Sequence, residues 1–312
     1  MSWQYCSSKN FPKIFTEKSF FFLLNIKKKE FLQIVAEKIT HYRKWKKVKS
    51  DGVRYREIYN PDRKLKYLLK KLSKRYLSKF NYPPFAHCGP KGKSIVTACR
   101  GHERFMHHTS LDIESFFDRV SKSVVERTLL AVGVNKTTEK LIVDISVEDN
   151  RLPQGFPTSS LLSALVVSLA LRDFYTEFES KELQLSLYAD DILISSNNKQ
   201  LLVDAERYIA DKLEAIHLSL NSDKKTEGTG TKFLWLGLRI HPKIVLPRKN
   251  LKDLQKQVYA HKLTKVIPAD FKPKKKGNLK EQWKRSVKGK IDFAQSVGKN
   301  KLLEKISRDS QQ

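Results

Sequence analysis

Two short acidic clusters carry the chemistry of this sequence. Tyr188-Ala189-Asp190-Asp191 sits between Leu185-Ser186-Leu187 and Ile192-Leu193-Ile194, an alternating apolar pattern that predicts a β-hairpin around the two acids. Carboxylates set against an apolar sheet are costly unless they are paired or hold a metal. A second cluster, Leu111-Asp112-Ile113-Glu114-Ser115-Phe116-Phe117-Asp118, has a similar setting. Two strand-borne acidic groups, brought together by a fold, meet the needs of a two-metal phosphoryl-transfer site. Mg²⁺ takes hard oxygen ligands, and paired ions sit about 3.5–4 Å apart.

The elements that must position these acids are readable in outline. Residues 1–50 read as a helical extension, with Phe31, Ile34, Val35, Ile39 and Tyr42 at near-helical spacing. Val53 to Tyr59 alternates basic and apolar residues, which predicts a strand. Asn60-Pro61-Asp62 breaks it and opens a basic helix through Leu65, Leu68, Leu69 and Leu72. A strand ending at Asp112 and a helix near 121–132 follow. The loop Leu152-Pro153-Gln154-Gly155-Phe156-Pro157 then leads into a long apolar helix from Thr158 to about Phe178. Beyond the hairpin come an amphipathic helix through Leu202, Ala205, Ile209 and Leu213, a strand pair over Phe233–Ile240, and basic helices separated by Pro268, Pro273 and Gly277. This mixed order predicts an α+β architecture.

Charge is segregated along the chain. Of 312 residues, 61 are Lys or Arg against 33 acids, a formal net charge of +28. Residues 26–80 hold 19 basic and 5 acidic residues (+14), residues 241–312 hold 20 and 6 (+14), and the rest balances at 22 against 22. Two basic ends flank a neutral middle that contains the acidic clusters, as expected of a catalytic centre between two nucleic-acid grips; solvated faces are the plainer reading. Cys6, Cys88 and Cys99 are odd in number and widely spaced, which argues for a reducing cytosol and against a disulfide framework. Cys88, Cys99, His102 and His107 fit no common zinc-finger spacing. The apolar run Phe20–Leu24 is too short for a membrane span or signal segment.

In order, these segments resemble the reverse transcriptase family over about residues 50–300. Leu111–Phe117 is similar to its first catalytic motif, Leu152–Ser159 to its second, Tyr188–Asp191 to its third, Leu218-Ser219-Leu220-Asn221 with Lys224-Lys225-Thr226 to its fourth, and Phe233–Gly237 to its primer-contacting hairpin. The resemblance implies a right-hand polymerase fold. Its parts would be the N-terminal extension (1–50), fingers (51–104 with part of 120–160), a palm of antiparallel sheet packed on helices (105–240), and a basic helical thumb (241–312). It implies two Mg²⁺ ions, with Mn²⁺ as a substitute, held by Asp112, Asp190 and Asp191. Phe117 takes the place of the family's sugar gate, which excludes a 2′-hydroxyl; Phe116 competes for that role, and alternation requires a bend to bring Phe117 round. Gln154 would contact the incoming nucleotide or template base. Arg54 and Arg56 resemble residues that grip the triphosphate, with exposed strand charges as the alternative. Lys225 is the candidate proton donor to the pyrophosphate, and one extra residue in the spacing makes Lys224 its rival. Tyr188, Trp235 and Gly237 would face the primer, and Lys274, Lys275, Lys276, Trp283 and Arg285 the duplex.

The compact length is similar to bacterial retron and other defence-associated reverse transcriptases, and leaves no room for RNase H, maturase, endonuclease or integrase segments. Gly92-Lys93-Ser94-Ile95-Val96-Thr97-Ala98 with His102 resembles the retron signature. It departs from that signature at Thr97, at the spacing to His102 and at Trp235-Leu236-Gly237. The implied activity is RNA-directed DNA synthesis in the bacterial cytoplasm from a structured noncoding RNA that serves as template and primer. dNTPs would be the substrates and cDNA the product, in antiphage defence, with an effector protein or a second copy as partner and no membrane. Template-independent or protein-primed synthesis is the second enzymatic reading, and a non-catalytic RNA-binding scaffold the third.

Overall fold

The computed structural model of the protein describes residues 16–48, 52–53, 55–230, 233–264, 279–298 and 304. The chain divides into two compact units, Met1–Ala98 with His107–Glu227, and Cys99–Met106 with Gly228–Gln312.

The first unit opens with α1 (Glu17–Leu24) and α2 (Lys28–Ala36), followed by a hairpin of β1 (Tyr42–Val48) and β2 (Tyr55–Pro61). Next come α3 (Arg63–Arg75), the short α4 (Ile95–Cys99) and β3 (His107–Asp112), then α5 (Phe116–Arg119), α6 (Lys122–Ala131) and α7 (Lys136–Ser146). The segments α8 (Ser159–Ala170) and α9 (Phe174–Glu177) precede β4 (Leu183–Tyr188), β5 (Asp191–Ser196) and α10 (Lys199–Glu214). Side-chain caps start several of these helices. Asp62 accepts from the Leu65 amide at 2.8 Å and Asn135 from the Thr138 amide at 2.9 Å, each satisfying an end donor that the helix leaves unpaired.

The main sheet has the order β4-β5-β3-β6, where β6 (Thr226–Thr229) starts with the last two residues of this unit. β5 pairs antiparallel with both β3 and β4, and Ala86 adds a parallel bridge to Leu187 on β4. Leu111, Leu185, Leu187, Ile192 and Ile194 join α8 and α10 residues in one core. Because α8 is apolar on nearly every side, it is buried along its length, as the apolar run from Thr158 predicts. The antiparallel sheet packed on helices is the expected α+β architecture.

Three local expectations are corrected. Tyr42–Val48 forms a strand, because it is held residue by residue against β2, from Tyr42 opposite Pro61 to Val48 opposite Tyr55. Tertiary pairing outweighs the apparent helical spacing there. β2 runs to Pro61, so Asn60-Pro61 ends the strand and Asp62 begins the helix. The helix expected from Thr158 to Phe178 stops at Ala170 and restarts at Phe174; the intervening turn lets both Leu171 and Phe174 be fully buried.

The second unit contains the two-residue strands β7 (Leu234–Trp235) and β8 (Leu238–Arg239), then α11 (Arg248–Thr264) and α12 (Leu279–Val297).

Candidate active site

Register brings the acids together. Asp112, the last residue of β3, lies directly opposite Asp191, the first of β5, and Asp191 is also opposite Tyr188 on β4. The β4–β5 turn is therefore Ala189-Asp190. Ala189 has φ +58°, in the left-handed region that a two-residue hairpin uses, and its methyl is the smallest side chain that still carries a Cβ. The Ile113 amide donates to the Asp190 carbonyl at 2.9 Å, which pins this turn across the end of β3.

A third segment closes the opposite side. The Glu114 amide donates to the Ser219 carbonyl at 2.9 Å and the Asn221 amide to the Asp112 carbonyl at 2.8 Å. Asn221 then caps a short 3-10 turn, Ser222–Lys224, through the Asp223 amide. That turn aims Lys224, whose Nζ donates to Asp112 Oδ1 at 2.7 Å. Lys225, the expected proton donor, points elsewhere: its Nζ is 2.7 Å from Glu206 and 2.8 Å from Glu227. The turn resolves the ambiguity of the adjacent lysines in favour of Lys224 as the one beside the acids.

The electrostatics follow from this crowding. Burial pushes the Asp191 carboxyl up to about 6, and the charges of Asp190 and Asp112 add to the rise. Asp190 is also raised, by burial first and then by Asp112, against its own backbone hydrogen bond and the charges of Lys224 and Arg56. Asp190 and Asp191, raised by burial and by the charges around them, form a cation-seeking donor set beside Asp112. Among the described residues, no three His, Cys, Asp or Glu side chains converge into a complete metal cage. Mg²⁺ commonly binds through one or two carboxylates and completes its shell with substrate phosphates and water, so an incomplete oxygen set fits that ion.

After Asp112 the chain bends as the sugar-gate reading of Phe117 requires. Ser115 takes φ +48° and starts α5. Phe116 enters the core at 3% exposure, while Phe117 stays partly exposed against it, with ring centroids 5.4 Å apart.

The β1–β2 hairpin is fastened to the Gln154 loop. The Tyr59 amide donates to the Gln154 carbonyl at 2.8 Å. A Cβ on Gly155 (φ +115°) would lie 2.3 Å from the Tyr59 carbonyl oxygen, so only glycine permits this approach. Tyr42 and Tyr59 both pack against Phe156. A charged cluster that sequence reasoning missed braces the same junction. Lys44 bonds Glu57 at 3.1 Å and Asp149 at 2.8 Å, Arg151 bonds Glu57 and Asp118, and the Tyr59 hydroxyl donates to Asp149 at 2.6 Å. Its members lie in three segments distant in sequence, with no local signal to link them. On the bound hairpin, Arg56 is half-buried with its Nε unpartnered, and its charge reaches Asp190. Arg54 lies outside the described residues.

Tyr188 is half-buried at the end of β4. The open edge of that strand is covered by residues 85–88: the Leu187 amide donates to the Phe85 carbonyl at 2.7 Å, and the His87 amide to the Leu187 carbonyl at 2.9 Å. This sets Cys88 beside the Ala189-Asp190 turn, where burial raises its thiol and the Ala189 amide opposes the rise. No sequence pattern marked Cys88 as a neighbour of the acids.

The second unit places its predicted residues differently. Trp235, expected to hold a primer, is 3% exposed, with its ring 6.3 Å from that of His102, so it is a core residue of that unit. Leu234, Gly237 and Arg239 form the exposed side of its hairpin, with positive φ at Leu236 and Gly237 making the turn. Arg285 is exposed on α12. Lys274, Lys275, Lys276 and the side chain of Trp283 lie outside the described residues.

A family model described as reverse transcriptase (RNA-dependent DNA polymerase) matches residues 45–240, more than half of the chain. The chain is 26% identical over 208 residues to the retron Ec86 reverse transcriptase of Escherichia coli, a match covering 66% of this chain and 65% of the relative. It is also 26% identical to the retron Se72 reverse transcriptase of Salmonella heidelberg, covering 65% and 55%, and 23% identical to the Escherichia coli retron Ec73 enzyme, covering 82% and 83%. The chain thus spans less than two thirds of the first two of these relatives. Among solved structures, a Candida albicans telomerase in complex with a fragment of telomeric RNA is 13% identical with a TM-score of 0.47, covering 91% of this chain and 62% of that one.

Proposed function

The chain belongs to the reverse transcriptase (RNA-dependent DNA polymerase) family, and from that premise we propose that it builds DNA on an RNA template at Asp112, Asp190 and Asp191. The observation that carries this reading is the cross-strand pairing of Asp112 with Asp191, with Asp190 in the turn beside them. Two Mg²⁺ ions, for which Mn²⁺ would substitute, would supply Lewis-acid activation of the primer hydroxyl and charge neutralisation on the triphosphate.

The remaining roles fall to residues of this chain. Arg56, with a free donor and a charge felt at Asp190, orients the triphosphate of the incoming dNTP; Arg54 would share that work. Phe117 closes the space beside the sugar, and Gln154, held by its backbone to Tyr59, contacts the nucleotide or template base. Lys224, rather than Lys225, hands a proton to the departing pyrophosphate, because its ammonium group is the one placed beside Asp112. Tyr188 and Gly237 contact the primer, and the basic helices around Arg285 the duplex.

The retron reverse transcriptases among its relatives support a retron-like enzyme; the proposal adds a structured noncoding RNA as template and primer, cDNA as product, and a role in bacterial antiphage defence with an effector or a second copy. Among the described residues, no helix is long and apolar enough to cross a membrane.

The test is dNTP incorporation on a primed RNA template. Synthesis should require Mg²⁺ or Mn²⁺ and disappear in Asp190→Ala. Synthesis that persists in that variant overturns the assignment.

A further inference from the structure

The helix α3 carries a surface that the polymerase site does not use. Its apolar residues Leu65, Leu68, Leu69 and Leu72 are all buried. Its remaining surface holds seven cations, Arg63, Lys64, Lys66, Lys70, Lys71, Lys74 and Arg75, and no acid. Surface helices ordinarily mix signs, because opposite charges at i,i+4 stabilise and like charges repel. Here Lys66, Lys70 and Lys74 form an unbroken i,i+4 row, and Lys71 with Arg75 forms a second. Among the described residues, none of Arg63, Lys64, Lys66, Lys70 or Lys74 makes an ion pair. The helix therefore bears a repulsion that a bound polyanion would relieve.

Beside this row lies a cavity of about 580 Å³ between α3 and the α1–α2 turn. Arg63, Lys64 and Lys71 line it against a single acid, Glu30. Tyr67 stands at its wall, 61% exposed, with Lys71 Nζ 4.4 Å from its ring centroid and donating to the Asn25 carbonyl at 3.2 Å. An exposed ring among cations is a stacking platform for an unpaired base.

The cation row lies on the side of α3 opposite its buried leucines, away from the face that meets the core. Arg56, whose charge reaches Asp190, is near the start of β2, and α3 begins after its far end, Pro61. At about 3.3 Å per strand residue, that is roughly 16 Å away.

We propose that the outer face of α3 docks a structured RNA, with phosphates along Lys66, Lys70 and Lys74 and an unpaired base stacked on Tyr67 in the adjoining cavity. This rests on the reading that the chain copies RNA, and names where that RNA is held outside the cleft. RNA is favoured over an anionic membrane because a membrane-surface helix must expose an apolar face, and that of α3 is spent on the core.

The experiment uses the full chain and a labelled RNA hairpin with a long stem and an unpaired loop. Binding is titrated across salt concentrations for wild type, Lys66→Glu/Lys70→Glu/Lys74→Glu and Tyr67→Ala. Incorporation is measured separately on a saturating short RNA template with a DNA primer. The triple variant should lose about tenfold or more in hairpin affinity, and its log–log salt slope should flatten by roughly 3. Tyr67→Ala should weaken binding without changing the slope. Incorporation on the short template should be unchanged. Lys70→Glu alone controls for folding: flanked by Lys66 and Lys74, it should melt higher than wild type while binding RNA more weakly. Unchanged affinity and slope overturn the proposal, as does binding to phosphatidylglycerol vesicles in place of the hairpin. Hairpin binding that needs these lysines, in a protein that makes no DNA, supports the docking face and overturns the polymerase reading instead.

Discussion

Lys224 and Asp112 are joined by an ion pair of 2.7 Å, while the neighbouring Lys225 is held between Glu206 and Glu227. Two adjacent lysines thus have unlike partners, one beside the acids and one between two glutamates.

Lys224→Ala should lower kcat by about 10²-fold with little change in the KM for dNTP, the size expected for loss of a positioned acid. Lys225→Ala should leave kcat within a few-fold of wild type. Its cost should appear in thermal unfolding, at about 0.5–1 kcal/mol for two partly exposed ion pairs. Single-turnover kinetics and melting curves of both variants separate these effects.

Asp191→Asn should stabilise the metal-free protein while destroying its activity. The folded-state carboxyl is raised from its ordinary value of 3.8 to about 6, so its stabilising contribution is complete below about pH 4 and is lost as pH rises through 6. At neutral pH the wild type carries that loss, on the order of 1–2 kcal/mol after discounting for partial exposure, and the amide removes it. Melting in EDTA at pH 3.5 and pH 7.5 checks the sign: the variant's advantage should exist at the higher pH and nearly vanish at the lower. Added Mg²⁺ should restore part of the wild type's stability.

Phe117→Ala should relax the choice between dNTPs and rNTPs, by about 1–3 kcal/mol or roughly 10- to 200-fold in the ratio of kcat/KM values. Phe116→Ala, at the buried ring, should instead cost about 3–5 kcal/mol of stability. Incorporation of matched ribo- and deoxynucleotides, with denaturant titrations, distinguishes the two.

Gly155→Ala should detach the β1–β2 hairpin from the Gln154 loop. The φ of +115° alone costs a β-carbon about 1–3 kcal/mol, and the Tyr59 carbonyl must also move. A raised KM for dNTP is expected, with far-UV circular dichroism little changed. Faster amide exchange across β2 would report the loosened strand.

The carboxylates were legible because they break a periodic pattern: acids in alternating apolar strands leave few physical explanations. The bend that frees Phe117 was required by alternation and is supplied by Ser115. What could not be read were pairings between distant segments. Nothing in Tyr42–Val48 alone announces β2 as its partner, and the Lys44–Glu57–Arg151–Asp149 cluster exists only once the β1–β2 hairpin meets the segment around Asp149–Arg151. Trp235 misled for a related reason. An aromatic beside a turn looks the same in sequence whether it faces a ligand or its own core, and burial is a tertiary property.

The proposed catalytic constellation is also spread out in time. Asp112 leaves the ribosome well before the turn bearing Asp190 and Asp191, and Lys224 emerges last of the four. Because each is fixed by hydrogen bonds to the others' strands, a nascent chain shorter than this has the parts without their arrangement. For the proposed polymerase, synthesis of the chain thus contains its own delay: DNA synthesis must wait until the last of these segments has been translated and folded back onto the first.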